Sequence, residues 1–229
     1  MTAALILQHG DWGPPGLLGE WAADRGLPFE IHRVDLGEPL PEPDGQPFIV
    51  SLGSKYSPRD TDVPVVSTEL EFIQTAVARD VPVLGLCYGA QVLAHVLGAR
   101  VEPAPEPELG WYTVRSSAPE VVPEGPWLQW HYERFSLPPG ARELARSDRG
   151  LQAFSHGRHL GVQFHPESTV DIVAQWARLD AERLASQGIE DGQALLAGGE
   201  DYADAASRAA FQLFDAFWAR ARRPERRHR

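Results

Sequence analysis

The fold is decided by the stretch Val81-Pro-Val-Leu-Gly-Leu-Cys87-Tyr-Gly-Ala-Gln91. Its first six residues form a short apolar run of the kind that a buried parallel strand requires. Residues 92–97 continue as an apolar segment of helical type. A strand, a tight turn and a helix in direct succession are typical of a nucleophile elbow, in which the residue at the tip exposes its side chain. Gly85 and Gly89 leave room for the sharp turn, so we predict that Cys87 lies at the tip.

Cys87 is the only cysteine of the chain and therefore cannot belong to an internal disulfide. A free cysteine most often behaves as a small buried hydrophobic residue. The glycine frame favours a reactive thiol instead, and the N-terminal dipole of the following helix would favour the thiolate. On this stretch alone both interpretations stay open.

A second segment, Gly161-Val-Gln-Phe-His165-Pro-Glu167-Ser168, supplies the groups that a reactive thiol needs. His165 ends an apolar strand pattern, and Pro166 cannot donate to a strand ladder, so we expect the pairing to stop there. The imidazole can take the thiol proton, and the carboxylate of Glu167 can orient the imidazole. A nucleophile, a base and an orienting group are the three parts of covalent acyl transfer. The alternative for His165 is a structural histidine in the core or in a loop.

The two motifs, Gly-Leu-Cys-Tyr-Gly-Ala-Gln and, 78 residues after the cysteine (165 − 87), His-Pro-Glu-Ser, resemble those of the class I (triad) glutamine amidotransferases. The resemblance is greatest to the glutaminase domain of GMP synthase and its stand-alone relatives. It implies a triad of Cys87, His165 and Glu167 that releases ammonia from glutamine through a γ-glutamyl thioester. It also implies that no metal and no organic cofactor take part.

The resemblance further implies an oxyanion hole. In the family a Gly-Gly-Pro turn follows the third strand, and the backbone N–H of its second glycine holds the oxyanion. Gly53 matches that glycine, whereas Leu52 and Ser54 replace its neighbours. A plain turn glycine is the alternative. The N–H of Tyr88, directly after the nucleophile, is expected as the second donor.

Two more residues are expected to contact the substrate. Gln91 matches the family's substrate-contacting glutamine in the elbow motif. Glu133 lies in the stretch 128–135, where GMP synthase-like relatives carry an aspartate that can face the α-amino group of glutamine. A solvated loop carboxylate is the alternative for Glu133. His131, in the same stretch, is expected to be structural.

The order of the apolar patterns predicts an α/β fold with a doubly wound, flavodoxin-like, mostly parallel sheet and helices on both faces. Strands are expected near residues 3–8, 29–34, 48–52 and 81–86, with helices near 17–26 and 67–79. Ser67 is predicted to cap the second helix. Patterns within 110–164 predict a small antiparallel extension, whereas the proline-rich segment 102–108 is expected to be a loop.

We expect one amidotransferase domain over residues 1–187, C-terminal helices over 188–221 packed on the same domain, and a basic disordered tail over 222–229. Gly198 and Gly199 are expected to interrupt the helical segment. The alternative for the aromatic-rich helix near 209–221 is a surface that docks a partner.

Composition narrows the function classes. The net charge of −11 argues against nucleic acid and anionic membranes as partners. The N-terminal residues lack a signal-peptide pattern, and no apolar run approaches the roughly 20 residues that span a bilayer. A single cysteine suits a reducing cytosol. We therefore expect a cytoplasmic protein, with no zinc-type ligand spacing and no P-loop.

Three functions remain open. The first is a glutaminase that supplies ammonia to a separate synthetase, since the 62 residues after Glu167 (229 − 167) are too few for the ATP-pyrophosphatase domain of a GMP synthase. The second is a stand-alone γ-glutamyl peptidase or hydrolase that uses the same triad on a substituted amide. The third is a catalytically silent regulatory relative, against which the intact triad argues.

Overall fold

A nine-stranded mixed sheet forms the centre of the protein in the computed structural model, which describes residues 2–189 and 193–223. In chain order the strands are β1 (Ala4–Gln8), β2 (Phe29–Arg33), β3 (Ile49–Ser51), β4 (Val83–Leu86), β5 (Val101–Ser116), β6 (Gly125–Phe135), β7 (Arg142–Arg146), β8 (Leu151–His156) and β9 (His159–Val162). The helices are α1 (Leu17–Asp24), α2 (Pro64–Ala78), α3 (Tyr88–Val96), α4 (Val170–Leu179), α5 (Ala181–Ser186) and α6 (Gln193–Ala221), with a short 3-10 helix at Val34–Leu36.

The sheet has two halves of different character. Its strand order is β2-β1-β3-β4-β9-β8-β7-β5-β6. The strands from β2 to β9 pair in parallel, and those from β9 onward pair antiparallel. The predicted α/β fold with a mostly parallel core sheet is confirmed. The antiparallel extension is larger than expected, because β5 and β6 are 16 and 11 residues long.

Helices cover both faces of the parallel half, and strand β1 shows how the sequence produces this. Ala4 and Ile6 face one core with residues of α1 and α6, whereas Leu5 and Leu7 face a second core with residues of α2 and α3. Successive side chains of a strand point to opposite faces. An unbroken apolar run is therefore what a strand covered on both sides requires.

The C-terminal part of helix α6 packs on the sheet and on α1. Leu213, Phe214 and Phe217 are fully buried in the first core. Asp215 accepts a hydrogen bond from the indole N–H of Trp21 on α1, at 3.0 Å. The domain limits drawn from the sequence stay a prediction, and the predicted tail lies outside the described residues except for 222 and 223. Within the described part, no helix has the length and apolar character that crossing a bilayer needs.

Three local predictions were wrong. The helical segment is not interrupted at Gly198 and Gly199, because α6 continues through both. The cost of a helical glycine is only about 1 kcal/mol, which packing of the rest of the helix can offset. Helix α2 begins at Pro64 and not after Ser67, since proline is favoured in the first turn, where its missing N–H has no partner to lose.

The third wrong prediction concerns the proline-rich segment 102–108, which belongs to strand β5. Strand β5 pairs with β7 only at its C-terminal end, so this segment has a strand neighbour on one side alone. Its pairing with β6 shifts register between Pro103 and Glu108. Proline is tolerated on such half-paired or irregular strands because no ladder donor is needed there.

Candidate active site

Cys87 occupies the sharp turn between β4 and α3. Its backbone has φ 53° and ψ −107°, and Asp80 is the other non-glycine residue with positive φ in the described part of the chain. A conformation of this kind costs roughly 1–3 kcal/mol and persists only when the surroundings fix it. Here the N–H of Cys87 donates to the carbonyl of Val162 on β9, at 2.9 Å. The strand, turn and helix expected from the sequence are present.

The two glycines of the elbow are required by close backbone contacts. A Cβ atom on Gly85 would lie 2.4 Å from the carbonyl oxygen of Gly89, and one on Gly89 would lie 2.1 Å from the carbonyl oxygen of Ser51. No side chain fits at either distance. The second contact presses the start of α3 against the end of β3, which brings the elbow next to the loop that carries Gly53.

His165 is held by a carboxylate and by its backbone. Its Nδ1 lies 2.7 Å from Oε1 of Glu167, and both side chains are buried. The N–H of His165 donates to the carbonyl of Leu128, and the carbonyl of Glu167 accepts from Leu17, both at 2.9 Å. The imidazole also meets the ring of Trp176 edge-on, with centroids 4.6 Å apart. The ring orientation is therefore fixed from several sides.

The other nitrogen of this ring, Nε2, is buried and has no hydrogen-bond partner among the described residues. Burial acts to lower the pKa of His165, but the charges of Glu167 and Cys87 outweigh it and raise the pKa to about 10. Opposite charges close to an imidazole favour its protonated form. The site therefore favours the protonated form of the His165 imidazole.

Gly53 lies at the meeting point of these groups. A Cβ atom on Gly53 would lie 3.1 Å from Cε1 of His165 and 4.0 Å from Cβ of Cys87. The three residues follow the carboxyl ends of the neighbouring parallel strands β3, β9 and β4. Tyr88 is the first residue of α3, and the N–H groups of a first helical turn have no partner within the helix.

One glutamine, Gln163, lies next to the thiol, and a second, Gln91, is bonded to the first. The amide nitrogen of Gln91 donates to Oε1 of Gln163 at 3.3 Å, and Nε2 of Gln163 lies 3.8 Å from Sγ of Cys87. The same sulfur lies 3.9 Å from the carbonyl oxygen of Trp130. We did not single out Gln163 from the sequence. Its place two residues before His165 is the available signal, because alternate residues of an extended chain share a face.

Glu133 lies on strand β6 and not on a loop. The Nε of Arg59 donates to its Oε1 at 3.1 Å, and the side chain of Glu133 is 15% exposed. Its second oxygen, Oε2, is buried and has no partner in the described structure. Glu133 is therefore ion-paired through one oxygen, while the other is available to a further donor. Arg59 was not predicted to be part of the site.

His9 and Glu69 form a second buried pair that the motifs did not indicate. Nε2 of His9 lies 2.7 Å from Oε2 of Glu69, and Nδ1 lies 3.1 Å from the carbonyl oxygen of Gly53. The hydroxyl of Ser51 donates to the other carboxylate oxygen at 2.7 Å. His9 directly follows β1, and Glu69 sits within the buried stripe of α2 otherwise formed by apolar side chains. A polar residue in an apolar stripe is the signal that could have found it.

His131 belongs to a third pair. Its Nδ1 lies 2.8 Å from the carbonyl oxygen of Glu133, and its Nε2 lies 3.1 Å from both Oε1 of Gln129 and Oε2 of Glu108. Burial acts to raise the pKa of Glu108, but hydrogen bonds, chiefly from His131, lower it below its ordinary value. Every nitrogen of His131 is thus satisfied, which fits the structural role expected of it.

Comparison with known proteins places the chain in a family. Residues 25–172 match the model of the class-I glutamine amidotransferases. The protein belongs to this family. The resemblance read from the two motifs is thereby confirmed. In the part of the chain that the structure describes, no group of three or more His, Cys, Asp or Glu side chains is placed to hold a metal ion.

Individual relatives agree with this assignment. The chain is 32% identical over 193 residues to the glutamine amidotransferase-like protein YfeJ of Salmonella typhimurium, which covers 77% of this chain and 80% of that protein. It is 45% identical over 94 residues to the GMP synthase of Thermomicrobium roseum, covering 38% of this chain but only 18% of the synthase. The crystal structure of a glutamine amido transferase from Methylobacillus flagellatus superposes with a TM-score of 0.90 at 29% identity, over 100% of this chain and 99% of that one.

Proposed function

We propose that the protein hydrolyses the side-chain amide of glutamine and releases ammonia through a γ-glutamyl thioester on Cys87. One observation carries this proposal. The imidazole of His165 is fixed at Nδ1 by Glu167, while its buried Nε2 is unpartnered beside the cysteine of the elbow. A nucleophile and a proton carrier with one free nitrogen are what acyl transfer requires. Membership of the amidotransferase family supports glutamine as the substrate.

In the first half-reaction, the Cys87 thiolate attacks the carboxamide carbon of glutamine. A C–S bond forms, and the carbonyl oxygen takes the negative charge. The backbone N–H groups of Gly53 and Tyr88 donate to this oxyanion, and removing one such donor typically costs ~10²–10³ in rate. His165 gives its Nε2 proton to the nitrogen, the C–N bond breaks, and ammonia leaves.

In the second half-reaction, water attacks the thioester. Nε2 of His165, now without its proton, accepts a proton from the water as the new C–O bond forms. The C–S bond breaks, glutamate leaves, and the thiolate and imidazolium are restored. Glu167 keeps Nδ1 protonated throughout, so that the proton transfers occur at Nε2 alone.

Glu133 and Gln91 are proposed to bind the amino-acid end of glutamine. The unpartnered Oε2 of Glu133 is suited to accept a hydrogen bond from the α-ammonium group, since a buried carboxylate oxygen without a donor is costly. Trp130, whose carbonyl lies 3.9 Å from the thiol, is three residues away on the same strand. At about 3.3 Å per residue this separation is roughly 10 Å, which matches an extended glutamine between the two groups.

We propose that the ammonia passes to a separate synthetase. The matched part of the GMP synthase of Thermomicrobium roseum is a minor fraction of that synthase, which supports pairing of such a glutaminase unit with a synthetase. We propose a reducing, cytoplasmic location, which would keep the single cysteine from being oxidised.

The test is to incubate the purified protein with L-glutamine and, separately, with a γ-glutamyl dipeptide, and to measure glutamate, ammonia and free amino acid. We expect glutamate and ammonia in equal amounts from glutamine, and an acid-quenched γ-glutamyl adduct on Cys87 that hydroxylamine removes. Turnover of the dipeptide without turnover of glutamine would favour the peptidase alternative. Turnover that persists in Cys87→Ala, or none with either substrate, would contradict the proposal.

A further inference from the structure

The loop after strand β3 is tied down on both sides of Gly53. Before it, the N–H of Leu52 donates to the carbonyl of Leu7 on β1, at 3.2 Å. After it, the carbonyl of Gly53 accepts a hydrogen bond from Nδ1 of His9, at 3.1 Å. Glycine has more conformational freedom than any other residue. The N–H of Gly53 belongs to the peptide before it, so the second hydrogen bond acts on it through the course of the chain. Without that bond, both backbone angles of Gly53 could change, and the loop could carry the N–H away from the site.

The hydrogen-bond partners of His9 fix which of its nitrogens donates to the loop. A backbone carbonyl can only accept, so Nδ1 donates to Gly53. Nε2 faces one carboxylate oxygen of Glu69 at 2.7 Å, and the other oxygen accepts from the hydroxyl of Ser51 at 2.7 Å. The ring of His9 is therefore held at both nitrogens, and Glu69 is held at both oxygens.

His9 also contacts the second expected donor residue. Its ring meets the ring of Tyr88 edge-on, with centroids 5.0 Å apart and an interplanar angle of 73°. His9 is 5% exposed and Glu69 is 0% exposed, so neither is available to solvent or to a partner. One buried histidine–carboxylate pair thus supports the loop of Gly53 and packs on the residue after the nucleophile.

We propose that His9 is a positioning residue, which with Glu69 holds the backbone of Gly53 at its carbonyl and so keeps the loop in the conformation that directs the Gly53 N–H at the oxyanion. This inference rests on the proposed function, because the oxyanion forms only when an amide or thioester is attacked at Cys87. His9 itself touches neither the thiol nor His165 by any hydrogen bond in the described structure. Its effect is therefore expected on the rate of the chemical step and not on the affinity for substrate.

The test compares two variants that differ at residue 9, whose side chain forms the hydrogen bond to Gly53. In Glu69→Gln, the amide of the new side chain can donate to Nε2, so a neutral His9 keeps its bond to the carbonyl. In the double variant His9→Leu/Glu69→Gln, that bond is lost without leaving a buried unpaired carboxylate. We expect kcat in the double variant to fall roughly 10- to 100-fold below that of Glu69→Gln, with KM changed about twofold or less.

Two further measurements distinguish a positioning role of His9 from a general disturbance of the active site or of the fold. Alkylation of Cys87 by iodoacetamide forms no oxyanion, so its rate should stay within about twofold in the double variant. His159→Leu is the matched control, because His159 is equally buried and accepts from the N–H of Val83 at 3.2 Å, at the opposite end of the strands. It should lose some thermal stability and retain kcat.

An unchanged kcat in the double variant overturns the inference, and so does a parallel loss of alkylation. If the unaltered protein hydrolyses no amide at all, the proposed function fails, and the loop is then judged by NMR. The amide resonance of Gly53 should shift or broaden in the double variant relative to Glu69→Gln. An unchanged resonance would show that His9 does not hold the loop, whatever the reaction.

Discussion

Two buried histidine–carboxylate pairs lie at the same edge of the sheet and differ at a single nitrogen. His165 meets Glu167 and His9 meets Glu69, each at 2.7 Å. The second nitrogen of His165 has no partner among the described residues, whereas that of His9 lies 3.1 Å from the carbonyl of Gly53. The first imidazole can exchange a proton at no cost in hydrogen bonds, and the second cannot. The carboxylate alone therefore does not distinguish the proposed base from the other histidine, but the free nitrogen does.

A buried polar atom without a hydrogen-bond partner indicates a reactive site only when it also lies near the other reactive groups. The hydroxyl of Tyr132 and Oε2 of Glu167 also lack partners within the described part of the chain. The unpartnered nitrogen of His165 is distinguished by its position, because its ring and Cys87 both lie within 4.0 Å of one point, the Cβ position of Gly53. This combination is what the predictions below test.

The largest expected loss of kcat comes from removing the imidazole of His165 and with it the unpartnered Nε2. In His165→Gln the thiol loses both its proton acceptor and the adjacent positive charge. We expect kcat for glutamine to fall by roughly 10⁴-fold or more, as for other triads, and iodoacetamide alkylation at pH 7 to slow as well. The His9→Leu/Glu69→Gln variant should keep its alkylation rate. If both variants lose alkylation equally, the contrast between the two pairs is wrong.

A smaller loss of kcat is expected when a side chain is added at Gly53, which lies between the two histidine–carboxylate pairs. The Cβ atom of Gly53→Ala would lie 3.1 Å from Cε1 of His165, closer than most contacts of this kind. Either the loop or the imidazole must shift, so we expect kcat to fall roughly 10- to 10³-fold, the range for a lost oxyanion donor. Gly150→Ala is the matched control, since nothing lies within 4 Å of that Cβ position and the glycine has no positive φ. Equal activity in both variants would contradict the placement of Gly53.

The same comparison explains what the sequence could predict. His165 and Glu167 are two residues apart at the end of a strand, so the pair is visible as a motif. His9 and Glu69 are 60 residues apart, and only the pairing of β1 with β3 and the packing of α2 bring them together. The strands of the parallel core could be predicted for a similar reason, because each strand is a continuous apolar run that is visible in the sequence.

Non-local pairing also explains the errors. The segment 102–108 was expected to be a loop from its prolines, but its long antiparallel partner β6 makes it a strand. The two glycines of α6 were expected to end a helix, but tertiary packing decides its length. Local propensity predicted neither outcome, since both depend on partners distant in the chain.

Glu133 extends the comparison to the substrate. Like His165 it has one atom held and one atom free, since Arg59 binds Oε1 and Oε2 has no partner in the described structure. In Glu133→Gln the α-ammonium group would lose a charged acceptor, so we expect KM for glutamine to rise roughly 10- to 100-fold with a smaller change in kcat. Glu102→Gln is the control, because Glu102 on β5 also forms an ion pair with an arginine, Arg134 on β6 next to Glu133. A larger effect on kcat than on KM would place Glu133 outside the amino-acid pocket.

The smallest expected effect is a change in the titration of His165 itself. Its pKa is raised to about 10 against the effect of burial, by Glu167 first and by Cys87 second. Cys87→Ser removes the sulfur, which is the second of the two groups that raise the pKa of His165, so this pKa should fall and the imidazole should lose its proton at lower pH. NMR titration of the ring in both proteins would measure the difference, and a tenfold change in the protonation equilibrium corresponds to about 1.4 kcal/mol of interaction. His159 is an internal reference, because burial lowers its pKa to about 4 and Cys87 does not contribute to that change. If His165 titrates identically in both proteins, the sulfur and the imidazole do not interact. The free nitrogen of His165 could then not exchange a proton with Cys87, and the proposed mechanism would be wrong.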